Sequence, residues 1–187
     1  MKLTHLALAA ALAGVSFGAQ AGPNWNYVEA GFVRLNSDSL DGDGFGMRGS
    51  VAVAESWHLF ARFDNGSGDV GRNSFDFNSF SVGAGYNFGI NDSTDFVARL
   101  AYERAEVEVF RSSGSADGYS LFAGVRSQLS DNFTLGAGVA FFDGDEDSST
   151  ALQLEAQYAF TPSIAVSLAI EGDDDGQTFF IGPRLNF

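Results

Sequence analysis

Alternation of apolar and polar residues is the feature that most restricts what this chain can fold into. It is clearest in the last ten residues, TFFIGPRLNF, where every second residue back from Phe187 is apolar and Arg184 lies between them. Successive side chains of a β-strand point to opposite faces of a sheet, so this period indicates strands rather than helices. The same pattern recurs along most of the chain, and helical periodicity is nearly absent. The sequence therefore predicts an all-β fold.

The alternating segments number ten, with polar or glycine-rich connections between them. They span residues 24–36, 44–55, 57–66, 76–89, 94–110, 117–129, 132–143, 150–161, 163–172 and 177–187. Each reaches the roughly nine to eleven residues that a tilted strand needs to cross a bilayer. Short turns alternate with longer polar loops, among them residues 66–75 and 111–116, as in an up-and-down barrel with both termini at the short-turn end. We predict a closed antiparallel barrel of ten strands, or of eight if one hairpin is misassigned.

The two faces of these segments differ in composition. One face is apolar, with aromatic residues collected near both strand ends, for example Trp57 and Phe88 at one end and Phe45 and Tyr119 at the other. The other face is small and charged, and its charges are Glu29, Arg48, Arg62, Arg99, Glu103, Arg126, Glu155, Glu171 and Arg184. A soluble barrel would instead bury the apolar face, because unpaired charge in its interior is too costly. The pattern predicts a transmembrane β-barrel with a lipid-facing exterior, two aromatic girdles and a charged lumen.

The N-terminal segment MKLTHLALAAALAGVSFGAQA has one lysine, an apolar stretch and an Ala-Gln-Ala site. This organisation is typical of a secretory signal peptide, so we expect residues 1–21 to be a signal peptide and residues 22–187 to form one barrel domain. The chain contains no cysteine, so an exported domain of this size is expected to fold without disulfides.

Acidic residues give the chain a formal net charge of −14 and are concentrated in the polar connections. This charge excludes nucleic acid as a partner, since phosphate binding needs clusters of Lys and Arg. Clustered carboxylates suit Ca²⁺ or Mg²⁺, but the segment from Asp143 has Ser148 and Leu154 where a calcium loop needs Gly and Glu. We therefore expect no cofactor or specific metal site, and at most loose cation contact at Asp143, Asp145, Asp147, Asp173, Asp174 and Asp175.

Catalysis is not expected, and we assign no catalytic residues. Beyond the signal segment His58 is the only histidine, and the alternation places it inward at the short-turn end, away from the acidic loops. A hydrolytic site would need a base next to a nucleophile or to an activated water.

Several strand motifs resemble a known family: NYVEAGFVR, DGDGFGMRGSVAV, WHLFARF, FSVGAGYNF, DGYSLFAGVR and FFIGPRLNF. They are similar to small outer-membrane β-barrel proteins of Gram-negative bacteria, of the type seen in xanthomonads. The resemblance implies a location in the bacterial outer membrane, contact with lipid and lipopolysaccharide, and recognition of Phe187 by the barrel assembly machinery during insertion. It implies no particular biochemical activity.

A barrel enzyme is the least favoured of three functions, and two others remain open at this point. The first is a structural or narrow-pore barrel, in which the Arg and Glu side chains either line a channel or plug it. Inward-facing Phe60, Phe122, Phe142 and Phe180 favour a filled interior, because ten strands enclose little more than eight. The second is a surface-recognition barrel whose acidic loops bind divalent cations, envelope sugars or a basic partner protein. Nothing in the sequence specifies an oligomeric state.

Overall fold

The structure is a computed structural model and describes residues 23–37, 41–70, 73–109, 112–144, 148–174 and 176–187. The predicted signal peptide lies outside the described residues. Those residues form ten strands: β1 (Tyr27–Ser37), β2 (Asp41–Ala54), β3 (Trp57–Val70), β4 (Asn73–Asn91), β5 (Thr94–Val109), β6 (Ser112–Ser130), β7 (Phe133–Gly144), β8 (Ser148–Ala159), β9 (Ile164–Gly172) and β10 (Gly176–Asn186). No helix among the described residues is long and apolar enough to cross a membrane.

Each strand pairs antiparallel with the next along the chain, and β1 pairs with β10 to close the barrel. The predicted ten-stranded antiparallel barrel is therefore confirmed. Closure leaves no free strand edge, so the backbone groups within the barrel wall find partners in neighbouring strands. The end of the barrel that carries residues 23–26 and Phe187 is called the terminal end below, and the opposite end is called the distal end.

The prediction of long polar loops at residues 66–75 and 111–116 was wrong. Strands β3 and β4 stay paired up to Val70 opposite Asn73, and β5 and β6 stay paired up to Val109 opposite Ser112. Polar composition suggested loops there, but the alternation continues through the polar residues. Phe75, which is 1 % exposed, faces inward in this distal extension of β4.

The outward face is apolar, as the sequence predicts. Its side chains are free of protein contacts over much of their surface, for example Leu100 and Leu152, which are 58 % and 66 % exposed. Aromatic rings mark both ends of this face, and some pair edge to face, such as Trp57 with Tyr86 at 5.1 Å between centroids. An exterior of this kind matches a hydrocarbon layer between two interfacial girdles.

Pro183 interrupts the seam between β1 and β10 without shifting its register. Glu29 lies opposite Arg184 and Phe32 lies opposite Ile181, while the two positions between them lack a bridge. Proline has no N–H to donate, which explains a gap in the ladder at this point. The seam is therefore loosened at Pro183, and it contains no bulge there.

Candidate functional site

The interior of the barrel holds a cavity of about 360 Å³. Its lining includes all nine charges predicted from the inward positions: Glu29, Arg48, Arg62, Arg99, Glu103, Arg126, Glu155, Glu171 and Arg184. They come from β1, β2, β3, β5, β6, β8, β9 and β10, whereas β4 and β7 contribute mainly small residues to this face. Charges that are far apart in sequence therefore meet inside one wall.

Arg184 joins the two ends of the chain at the seam. It is 3 % exposed, its Nη1 lies 3.6 Å from Glu29 Oε2, and its guanidinium carbon lies 3.4 Å from the centre of the Tyr27 ring. Its Nε donates to Asn186 Oδ1 at 2.9 Å, and its Nη2 donates to the carbonyl of Asn24 at 3.0 Å. Arg184 thus ties β10 to β1 and to the segment that precedes β1.

Arg62 is held by two acids on the distal side of this row. It donates through Nε to Asp64 Oδ2 at 2.5 Å and through Nη1 to Glu171 Oε2 at 3.0 Å. Asp64 is 2 % exposed and belongs to the lumen, although it is not among the lumen charges predicted from the sequence. Its even number, shared with inward-facing His58 and Arg62 on β3, is the signal that identifies its face.

Arg99 spans the barrel towards β8. Its Nη2 donates to Gln153 Oε1 at 2.9 Å, its Nη1 lies 3.8 Å from Glu155 Oε1, and its guanidinium stacks 4.0 Å from the Phe122 ring centre. Glu103, two residues further along β5, accepts a hydrogen bond from the hydroxyl of Ser120. Arg99 and its partners therefore form a layer of side chains across the middle of the lumen.

Arg48 differs from its neighbours. In the register, it lies between Glu29 on β1 and Arg62 on β3. Its guanidinium carbon lies 4.0 Å from the centre of the Phe180 ring, and no ion pair with an acid is formed among the described residues. Its Nε is buried and lacks a hydrogen-bond partner within the same part of the chain.

Trp25, from the segment that precedes β1, packs into the terminal end of the lumen. Trp25 is 5 % exposed and stacks on His58 with 4.3 Å between ring centres and 13° between planes. Its indole N–H donates to Asp95 Oδ2 at 3.3 Å, and the Arg126 guanidinium lies 4.9 Å from its ring. The space left around these side chains is only about 20 Å³. Neither Trp25 nor Asp95 was predicted from the sequence as a lumen residue.

Glycines on neighbouring strands make room for the inward rings. A Cβ on Gly85 would lie 2.1 Å from His58 Nε2, and one on Gly138 would lie 2.4 Å from the Phe122 ring. The same relation holds at Gly83 beneath Phe60 and at other inward glycines. The glycine-rich inner face is therefore a packing surface for aromatic side chains.

The distal end is more open. A second cavity of about 230 Å³ shares Glu103, Glu171 and Thr178 with the first and extends to Asp173. Asp173 Oδ1 accepts the N–H of Gly176 at 3.0 Å, so it stabilises the connection between β9 and β10. The interior therefore holds more free space in its middle and distal parts than at its terminal end.

Only some of the acids proposed for cation contact lie in the part of the chain that the structure describes. Asp143, Asp173 and Asp174 are exposed, whereas Asp145, Asp147 and Asp175 lie outside the described residues. Within the described ranges, no group of three or more Asp, Glu or His side chains is arranged to hold a metal ion. Loose cation association and recognition of Phe187 by the assembly machinery stay predictions; the Phe187 N–H donates to the Asn26 carbonyl at 3.1 Å.

Comparison with solved structures finds small outer-membrane barrels. The outer membrane protein OprG from Pseudomonas aeruginosa is 10 % identical, with 90 % of this chain and 99 % of that chain covered and a TM-score of 0.48. The KdgM porin is 12 % identical, with 86 % and 99 % covered and a TM-score of 0.48. Neisserial surface protein A is 15 % identical, with 86 % and 96 % covered and a TM-score of 0.43.

A search of curated proteins finds no match, and the narrower likeness to xanthomonad barrels stays a prediction. Residues 3–180 match the family described as outer membrane protein beta-barrel domain, which covers most of the chain. The closed barrel, its apolar exterior and its charged interior agree with that match. The chain belongs to the outer membrane protein β-barrel domain family and is a protein of the bacterial outer membrane.

Proposed function

We propose that this protein is a structural or narrow-pore barrel whose lumen is closed at rest. The observation that carries the proposal is the position of Trp25, stacked on His58 and below Arg126 in a space of about 20 Å³. Outer-membrane barrels place their short turns in the periplasm, so we orient the terminal end towards the periplasm. Solutes from outside would reach the two wider cavities and stop at Trp25.

The balance of charges supports a filled rather than an ion-selective lumen. Five Arg face Glu29, Asp64, Glu103, Glu155 and Glu171, so the middle of the barrel has no large net charge. Breaking a buried ion pair leaves an uncompensated charge in the interior, which is strongly destabilising. These side chains therefore hold strands together across the lumen as well as narrowing it.

No catalytic activity is part of the proposal. His58 is 1 % exposed and stacked against Trp25, at the opposite end of the barrel from Asp173. We propose that the exterior contacts lipid and, at the distal end, lipopolysaccharide, and that the assembly machinery reads the C-terminal strand ending in Phe187.

Planar-bilayer conductance of the refolded protein tests the closed lumen. We expect the native protein to give no sustained current and the Trp25→Ala variant to give discrete steps, because removing the indole opens the narrowest point. Trp57→Ala is the matched control, since Trp57 is 50 % exposed on the outward face. Equal conductance of the native protein and Trp25→Ala would contradict the proposal, and so would a silent Trp25→Ala barrel.

The charge network is tested in the same bilayers. We expect the triple variant Arg62→Ala, Arg99→Ala and Arg126→Ala to conduct ions. It removes three side chains that fill the lumen and that neutralise several acids there. Unchanged silence in this triple variant, with the barrel folded, would show that other groups close the lumen.

A second candidate function is recognition at the cell surface. It is favoured by the paired distal extensions of β3–β4 and β5–β6, which hold exposed acids such as Asp76 and Glu108 on a fixed strand framework. Divalent cations, envelope sugars or a basic protein are the candidate ligands. Equilibrium dialysis with Ca²⁺ tests the cation case: Asp76→Asn with Glu108→Gln should weaken binding, and an unchanged isotherm would remove these acids from the candidate surface.

A further inference from the structure

Arg48 is a cation that lines the main cavity. No hydrogen bond from its guanidinium to a protein group is formed within the described residues, and its Nε is buried without a partner. The face of the guanidinium is occupied by the Phe180 ring at 4.0 Å. A guanidinium stacked in this way keeps its edge, with its N–H donors, free for an acceptor.

The acids closest to Arg48 in the register are engaged elsewhere. Glu29, its neighbour on β1, lies 3.6 Å from Arg184 Nη1. Asp64 and Glu171 both accept from Arg62, the neighbour of Arg48 on β3. Each of these acids has another arginine as its ion-pair partner, whereas Arg48 forms no ion pair among the described residues.

Ser167 supplies a second polar group that lacks a partner. It is 6 % exposed, lines the same cavity, and its hydroxyl has no hydrogen bond to any described residue. Ser167 pairs with Gly182 on β10, two residues from Phe180. Arg48 on β2 and Ser167 on β9 line the same cavity, with β1 and β10 between them. Gly182 and Gly31 leave the wall between the two groups without side chains.

We propose that this cavity binds a small carboxylate, held by the guanidinium edge of Arg48 and the hydroxyl of Ser167. The planar fork of a guanidinium matches the two oxygens of a carboxylate, and such charge-assisted hydrogen bonds are among the stronger ones in proteins. The cavity of about 360 Å³ accommodates an organic acid. The ligand enters from the distal end, and binding does not require a continuous pore.

Isothermal titration of the refolded protein in detergent, at constant ionic strength, tests the site. The probes are sodium acetate and sodium D-glucuronate, with D-glucose as the uncharged control. We expect saturable binding of at least one carboxylate and none of glucose. Arg48→Gln should weaken that binding by at least about tenfold, because it removes the charge and most donors. The matched variant Arg34→Gln removes the same charge from an exposed position near Asp43 and should bind as the native protein does.

Several results would overturn the site. These are the absence of saturable carboxylate binding to the native protein, equal binding of glucose, equal binding by Arg48→Gln, or an equal loss in Arg34→Gln. If Arg48→Gln does not refold, Ser167→Ala provides the test, because it removes one donor from the site without leaving a buried charge. It should weaken binding severalfold, and an unchanged isotherm would contradict the proposal. Titration measures no current, so the result stands whether or not the barrel conducts.

Discussion

The two ends of the lumen are closed to different degrees and by different means. At the terminal end, a segment outside the strand ladder inserts Trp25 between His58 and Arg126, and about 20 Å³ of space remains. Towards the distal end, side chains fixed on the strands leave cavities of about 360 and 230 Å³. Side chains on the strands therefore leave free space in the lumen, and we propose that the chain before β1 completes its closure.

The contacts that stabilise the barrel therefore differ from the contacts that fill the terminal end of its lumen. Arg184 and Glu29 pair across the seam between two neighbouring strands, and the ion pair of Arg62 with Glu171 crosses the interior. Trp25 belongs to a short segment held by a few hydrogen bonds, such as that from the Ala52 N–H to Asn26 Oδ1 at 2.9 Å. Removing the ion pairs between strands should destabilise the barrel. Removing Trp25 should mainly open the lumen at the terminal end.

The largest loss of stability is expected at Arg184, which contacts both strand β1 and the segment that carries Trp25. Arg184→Ala leaves Glu29, 5 % exposed, without its partner and removes the bond to Asn24. We expect the free energy of unfolding to fall by about 3–5 kcal/mol, as for other broken buried ion pairs. Urea unfolding in lipid vesicles, followed by tryptophan fluorescence, measures it. A loss no larger than that of exposed Arg34→Gln would show that the seam does not depend on this network.

A smaller effect is expected where a glycine supports the seal. A Cβ on Gly85 would meet His58 Nε2 at 2.1 Å, so Gly85→Ala should displace the imidazole that carries Trp25. We expect a loss of about 1–3 kcal/mol, typical of overpacking, together with a change in Trp25 emission. Gly136→Ala is the matched control, because its Cβ would lie no closer than 3.6 Å to any neighbour. Equal behaviour of the two variants would contradict the packing described here.

The smallest effect is expected at an ion pair outside the lumen. Arg104 donates to Glu106 at 2.6 Å, but both side chains are half-exposed on the distal extension of β5. Exposed pairs gain little in water and are screened by salt, so Arg104→Gln should leave urea unfolding unchanged. A clear destabilisation by this variant would mean that the distal extension contributes to the stability of the whole barrel.

The sequence was sufficient for the strand number and the two faces, because alternation reports directly on which side a residue occupies. Prediction fails where polar composition outweighs alternation: Asp64 is missing from the predicted lumen charges, and the loop predicted at residues 66–75 contains inward-facing Phe75. Trp25 lies in the predicted segment 24–36 and shares its odd number with inward-facing Glu29, but the first strand begins only at Tyr27. Alternation could not predict the contacts of Trp25 with His58 and Asp95, because they depend on how the segment before β1 folds into the barrel mouth.

Fluorescence quenching of single-tryptophan variants tests the position of Trp25 most directly. The chain has two tryptophans, of which Trp25 is 5 % exposed in the lumen and Trp57 is 50 % exposed on the outward face. With Trp57→Phe, Trp25 should resist both aqueous iodide and brominated lipid; with Trp25→Phe, Trp57 should be quenched by brominated lipid. Ready quenching of Trp25 by iodide in folded vesicle-inserted protein would contradict a lumen sealed at its terminal end.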